Sequence, residues 1–189
     1  MINKLIKFFI ITLPLLLISN TPASIENNKY YYIKSVVSGD ADRGYWDLPG
    51  GGRRYKNGDD LHLWAFDKGD DRKYMITPAE NGWNYISPAS AASGTLFYGT
   101  VSIAGNTIEE GSKLDVRDIQ LTDNTNQLFK VKHIGEGRFM IFVNSNGGGK
   151  VICTEGGADK NGTSVIVMNE NSTPSCQWRF IEVSGAVKN

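Results

Sequence analysis

The sequence predicts an all-β body in which one unit of about fifty residues is used three times around a shared core. Three observations predict it: short apolar runs separated by turn residues, a set of landmarks that recurs three times in the same order, and a composition suited to tight turns. The 189-residue chain holds 21 Gly, 8 Tyr, 8 Phe and 4 Trp against 6 Pro, which favours many short strands over long helices. Hydrophobic residues make up 40%, enough for a packed core and too many for a disordered chain.

Residues 1–23 read as a secretory signal peptide. Lys4 and Lys7 form a positive n-region, the apolar run 8–18 is broken only by Thr12 and Pro14, and Thr21-Pro22-Ala23 places small residues ahead of a cleavage point between Ala23 and Ser24. The competing reading is a retained membrane anchor, but eleven apolar residues are too few for a hydrocarbon core of about 30 Å. The full chain carries 20 basic and 20 acidic residues; cleavage removes two lysines and no acid, leaving 18 and 20 in a 166-residue mature chain of net charge −2. The expected product is secreted, extracellular or exported, and not membrane-spanning. A near-neutral chain lacks the basic face that nucleic acid demands, and Arg53, Arg54 and Lys56 form only one small basic spot.

Residues 24–189 are expected to form a single domain with units at about 30–78, 82–134 and 137–183. Strand-like runs fall at 30–37, 61–66, 73–77, 114–121, 128–133, 138–143, 164–168 and 178–183, with Gly, Asn and Asp clusters between them. Each unit opens on an aromatic-rich strand: Tyr30-Tyr31-Tyr32-Ile33, Trp83-Asn84-Tyr85-Ile86 and Phe139-Met140-Ile141-Phe142. Next come Trp46-Asp47-Leu48, Val101-Ser102-Ile103 and Ile152-Cys153-Thr154. Turn glycines follow at Gly58, Gly111 and Gly162, spaced by 53 and 51 residues, each leading into an alternating strand. An aromatic then opens the last strand at Tyr74, Phe129 and Trp178, spaced by 55 and 49 residues. One such unit cannot bury its own apolar face, whereas three around a pseudo-threefold axis share a core and remove most free sheet edges. A β-sandwich with look-alike strands is the alternative.

This order of landmarks resembles the ricin B-type β-trefoil lectins, whose unit runs through a Leu-Asp-Val-like element, an Asn-Gly turn, a Gln-Leu-Trp-like strand and a Gln-x-Trp motif. The resemblance spans about residues 30–183. It implies a β-trefoil fold and a sugar held by a single unit, with the carboxylate accepting from vicinal hydroxyls and the Trp covering the ring face. In unit one it places Asp47 at the carboxylate, Trp64 at the stacking position, His62 on the same strand, and Asp71 and Arg72 at the Asn-Gln pair. Arg72 would hold Asp47 by a charge-assisted bond; the same pairing is what a purely structural ion pair would look like. Unit two has Ser102 and Arg117 in place of the Asp and Trp but keeps Asn126 and Gln127, a weaker secondary site. Unit three has Cys153, Cys176 and Met168 at the Asp, Gln and Trp positions and is not expected to bind sugar in the family's manner. Because the family's Asp and Gln touch, the two cysteines imply a Cys153–Cys176 disulfide, with two buried thiols as the alternative. The resemblance then makes Asp47/Arg72, Ser102/Gln127 and Cys153/Cys176 three solutions to one internal contact.

His62 and His133 are the only histidines, and neither lies at a spacing that suggests a catalytic or metal constellation. No metal or cofactor is therefore expected. Asp59-Asp60, Asp70-Asp71 and Glu109-Glu110 are read as solvated turn segments rather than paired catalytic carboxylates. The glycine runs 50–52 and 147–149 lack the Gly-Lys-Ser/Thr ending of a phosphate loop. Asn161 and Asn171 head N-glycosylation sequons that matter only in a eukaryotic host. The expectation is a non-enzymatic secreted lectin that binds glycans or glycoproteins through unit one, on its own or as the targeting part of a larger assembly or toxin. The alternative is a β-trefoil that binds a partner protein chain, as a protease inhibitor or complex subunit, with degenerate sugar sites.

Overall fold

The computed structural model describes residues 24–27, 29–51, 54–93, 96–105, 107–145 and 148–184; the expected signal segment 1–23 and Arg53 lie outside them. Six strands close into an antiparallel barrel. Tyr30–Ser35 pairs with Lys73–Pro78, which pairs with Asn84–Pro88, then Phe129–Gly135, then Arg138–Val143, then Trp178–Glu182, which returns to Tyr30–Ser35. Closure leaves this ring without a free edge. Ile33, Tyr74, Ile76, Ile86, Phe129, Ile141 and Trp178 all belong to the buried core.

Three main hairpins interrupt the ring, besides the short pair Ala92–Ser93 with Leu96–Phe97. The first pairs Tyr45–Asp47 with His62–Trp64, the second Gly99–Ile103 with Leu114–Asp118, and the third Lys150–Thr154 with Val165–Asn169. Their inward residues join the barrel core: the Trp46 ring meets Tyr74 and Trp178 edge-on at 5.6 and 5.3 Å. The hairpins are also stitched to one another in a cycle. Gly58 N–H donates to Val116 O at 2.7 Å, Gly111 N–H to Val167 O at 2.8 Å, and Gly162 N–H to Leu63 O at 2.8 Å. All three glycines sit at positive φ, 88°, 87° and 83°, where a side chain is strained. The turn before each hairpin's second strand thus hands its amide to the neighbouring hairpin.

The strand ends depart from the sequence expectation for local reasons. The run 30–37 stops at Ser35, whose Oγ accepts from Val37 N–H at 3.3 Å and caps a single helical turn. The run 114–121 stops at Asp118 because Gln127 takes over: its Nε2 donates to Asp118 O at 2.9 Å and its Oε1 accepts from Gln120 N–H at 2.8 Å. Asp59-Asp60, expected as a turn, is instead a short strand paired with Val116 and Asp115 of the second hairpin.

Candidate functional site

The first hairpin sets Asp47 directly opposite His62 and Tyr45 opposite Trp64. Alternation along His62–Trp64 points Leu63 into the core and leaves His62 and Trp64 on the outer face; Leu63 is fully buried while Trp64 is 40% exposed. His62 Nε2 lies 3.0 Å from Asp47 Oδ2, a carboxylate that can only accept, so Nε2 donates and Nδ1 is the acceptor of the neutral ring. The His62 and Trp64 rings meet edge to face with centroids 5.5 Å apart. Behind Trp64 runs the turn at Gly162, where an added Cβ would lie 3.9 Å from the indole.

Arg72 comes from the one-turn helix Asp70–Arg72 just ahead of the barrel strand Lys73–Pro78. Its Nε forms an ion pair with Asp47 Oδ1 at 2.9 Å, and its Nη1 pairs with Asp67. Both oxygens of Asp47 are therefore engaged, and the residue is only 4% exposed. Asp71 is equally buried; its carboxylate folds back over Gly69, where a Cβ would come within 2.1 Å of Oδ1. Of the expected unit-one residues, the fold brings Asp47, His62, Trp64 and Arg72 into one chain of contacts. Asp71, read from the sequence as part of a solvated turn, is instead buried inside the loop. What faces outward is an indole flanked by an imidazole, with a buried Arg–Asp pair orienting the imidazole from behind.

The other hairpins repeat the register with different chemistry. Ser102 faces Asp115, and Cys153 faces Ile166. In the second hairpin the contact to Ser102 is made by Asn126, whose Nδ2 donates to Ser102 Oγ at 3.1 Å, and not by Gln127, which is committed to the backbone at Asp118 and Gln120. The expected Ser102/Gln127 contact is thus corrected by one residue. Asp115 was not anticipated. It is buried, and Arg117 grips its Oδ2 with Nε at 2.8 Å and Nη2 at 2.6 Å. Burial pushes the Asp115 carboxyl above its ordinary range, an effect Arg117 partly offsets. Its one signal in the sequence was a carboxylate two residues before Arg117, on the strand facing Ser102. In the third hairpin Cys153 and Cys176 are joined in a disulfide and pack with Met140 and Val151, flanked by Ile134, Phe142 and Met168. No cluster of three or more His, Cys, Asp or Glu suited to a metal occurs among the described residues.

No protein-family model matches the chain, and no curated protein sequence matches it. Solved structures do match its backbone. A designed threefold-symmetric protein, ThreeFoil, superposes with a TM-score of 0.69 at 15% identity, covering 82% of this chain and 99% of that one. The fold is a β-trefoil. The same β-trefoil is found in the Rhizoctonia solani agglutinin, with a TM-score of 0.67, 20% identity, and coverage of 86% and 99%. It is found again in the Macrolepiota procera ricin B-like lectin in complex with lactose, at 0.64, 17%, 84% and 99%. In two larger proteins the β-trefoil spans a minor share of the matched chain, 31% of an exo-β-1,3-galactanase from Clostridium thermocellum and 18% of a mosquitocidal holotoxin.

Proposed function

We propose that the protein is a secreted, non-enzymatic lectin of three trefoil units that binds glycans through the first. The observation that carries this reading is the exposed Trp64 indole beside His62, held over a buried Asp47–Arg72 pair. A wide, rigid apolar face next to a hydrogen-bonding ring is what a pyranose needs, one side being C–H and the rim hydroxyl. His62 Nδ1 supplies a hydrogen-bonding atom, and Asp47 acts mainly by fixing the imidazole. The likeness to lectin structures, one with lactose bound, supports the same class. One shallow site binds weakly, so avidity would come from multivalent glycan surfaces or from assembly. A targeting role within a larger assembly or toxin is supported by the match to a short part of a holotoxin.

A second reading, a protein-binding β-trefoil, is favoured by one observation: the equivalent sites are occupied by their own side chains, Asp47 by Arg72 and His62, Ser102 by Asn126, and Cys153 by Cys176. A glycan array probed with the mature oxidised protein, with Trp64→Ala and with His62→Ala separates the two. Selective binding lost in both variants supports the lectin and its site. Silence of the wild type at high protein density, with capture of a deglycosylated partner, supports the second reading.

A further inference from the structure

The small basic spot around Arg54 and Lys56 plays no part in the Trp64 site. The fold carries it to the second hairpin. Gly99 leaves the backbone open for Tyr55: an added Cβ there would lie 2.6 Å from the phenol ring. Tyr55 Oη donates to Asp118 Oδ1 at 2.7 Å, Asn57 Nδ2 donates to Asp118 Oδ2 at 3.3 Å, and Asp118 N–H donates to Asn57 Oδ1 at 3.2 Å. These contacts pin residues 55–57 to the end of the strand Leu114–Asp118. The preceding residue, Arg54, then sets its guanidinium over the ring of Tyr98, 5.7 Å from the centroid and within cation–π range.

Tyr98 and Arg117 share a face. Thr100 pairs with Arg117, and Ile119 N–H donates to Tyr98 O at 3.0 Å, so the ladder keeps its register past the strand end. Alternation makes Tyr98 and Arg117 diagonal neighbours, close enough for an aromatic and a long side chain to meet a common ligand. Both reach solvent: Tyr98 is 45% exposed and the Arg117 side chain 42%. Arg117 is also held in place, because the buried Asp115 accepts from its Nε and pairs with its Nη2. That anchor takes no part in tying hairpin to barrel, a contact made by Ser102 and Asn126.

The carboxylates of this region are spent on the protein, Asp115 on Arg117 and both oxygens of Asp118 on Tyr55 and Asn57. Asp60 faces Asp115, four residues along the chain from Ile119, the neighbour of Tyr98. The surface around the exposed ring therefore carries two guanidiniums, groups that only donate.

We propose that Tyr98, Arg117 and Arg54 form a second glycan site, selective for an acidic sugar: a pyranose bearing a carboxylate or a sulfate ester. The tyrosine ring gives the C–H side of the sugar a platform. The anchored fork of Arg117 gives the anion its N–H donors, and Arg54 adds a second positive charge. The choice of a sugar rests on the glycan-binding reading of this fold; the choice of an acidic one rests on this face alone.

The test is surface-plasmon binding of the mature oxidised protein to polyacrylamide carrying β-glucuronide or β-glucoside, which differ only at C6. A second pair carries galactose 6-sulfate or galactose, and the pair that responds tells carboxylate from sulfate. Wild type is expected to bind at least one acidic polymer about tenfold more tightly than its neutral counterpart, as a charge-assisted hydrogen bond warrants, and to lose that preference as salt is raised. Arg117→Gln and Arg54→Gln are each expected to cut the preference about threefold or more, Tyr98→Ala to weaken the acidic polymer about tenfold, and Trp64→Ala to leave the preference unchanged. Arg54 and Tyr98 lie on the surface, so their variants decide the matter should Arg117→Gln fail to fold. Neutral sugars bound with no preference for either acidic polymer would overturn this site alone. No binding to any polymer, by a protein that is also silent on the glycan array, would overturn it together with the glycan reading. A preference untouched by Tyr98→Ala and Arg54→Gln, or abolished by Trp64→Ala, would equally overturn it.

Discussion

Asp47 and His62 face one another across the first hairpin, with carboxylate and imidazole 3.0 Å apart. The same register joins Ser102 to Asp115 and Cys153 to Ile166. One backbone position therefore carries three chemistries: a carboxylate held by Arg72, a hydroxyl held by Asn126, and a sulfur bonded to Cys176. In each case the group is met by the one-turn helix that precedes a barrel strand. That contact ties a hairpin to the barrel, so its first job is architectural.

Removing either partner of the Asp47–Arg72 pair is expected to destabilise the protein. Asp47→Ala leaves a buried guanidinium with only the more exposed Asp67, and a broken buried pair costs about 3 kcal/mol. Arg72→Ala costs less, since Asp47 keeps His62. Urea unfolding of both single variants and the double variant checks this. The double variant should lose clearly less than the two single losses added together, because the groups share one interaction; additive losses would mean that the pair is not coupled.

Trp64→Ala separates binding from folding. The indole is 40% exposed and makes its main ring contact with His62, so the change in stability is expected to stay within about 1 kcal/mol. Loss of an aromatic stacking face is worth about 1 kcal/mol or slightly more, which corresponds to roughly a tenfold weaker glycan affinity. Calorimetry with whichever glycan the array selects gives the affinity, and a thermal melt gives the stability. A variant that binds as well as wild type moves the site away from unit one.

Reduction probes the third hairpin. The Cys153–Cys176 bridge spans a sequence separation of 23, and closing a loop of that size is worth about 3 kcal/mol in the chain-entropy model. The variant carrying Cys153→Ser and Cys176→Ser, compared with oxidised wild type in urea, should show a loss of that order. Glycan binding at Trp64 should persist under conditions where the variant remains folded. Wild-type stability unchanged by a reductant that demonstrably opens the bridge would argue against this.

Most of the scaffold was legible because it is built from features that must be local. Gly58, Gly111 and Gly162 stand out in the sequence because a turn at positive φ requires glycine, and the aromatics Tyr74, Phe129 and Trp178 because each opens a strand into the core. What the sequence concealed depends on register and side-chain reach. Nothing local says that the amides of those glycines are given to the next hairpin. Asp115 was missed because the carboxylate lies on the facing strand, two Cβ positions that only pairing brings together. Asn126 replaces Gln127 at Ser102 because the longer amide is drawn to the unpaired backbone at Asp118 and Gln120. Asp70-Asp71 was read as a solvated turn, but Gly69 leaves room for the Asp71 carboxylate to fold inward and be buried.

Asp115 makes a pH prediction with a definite sign. Burial raises its carboxyl from the ordinary 3.8, with Arg117 acting in the opposite direction. A carboxyl whose pKa is higher in the folded chain than in the unfolded chain holds its proton more tightly when folded. The stability this proton contributes is complete below about 3.8 and is lost as the pH rises through the folded value. Asp115→Asn has nothing to titrate there, so the stability of wild type minus that of the variant should be larger at pH 3.5 than at pH 7. Groups common to both proteins cancel in that difference. Arg117→Gln removes the group that restrains the shift, and should move the transition to higher pH. Urea midpoints measured across this range decide the matter: a difference that stays flat, or grows toward pH 7, would mean that the ion pair with Arg117 outweighs burial and that Asp115 is held ionised.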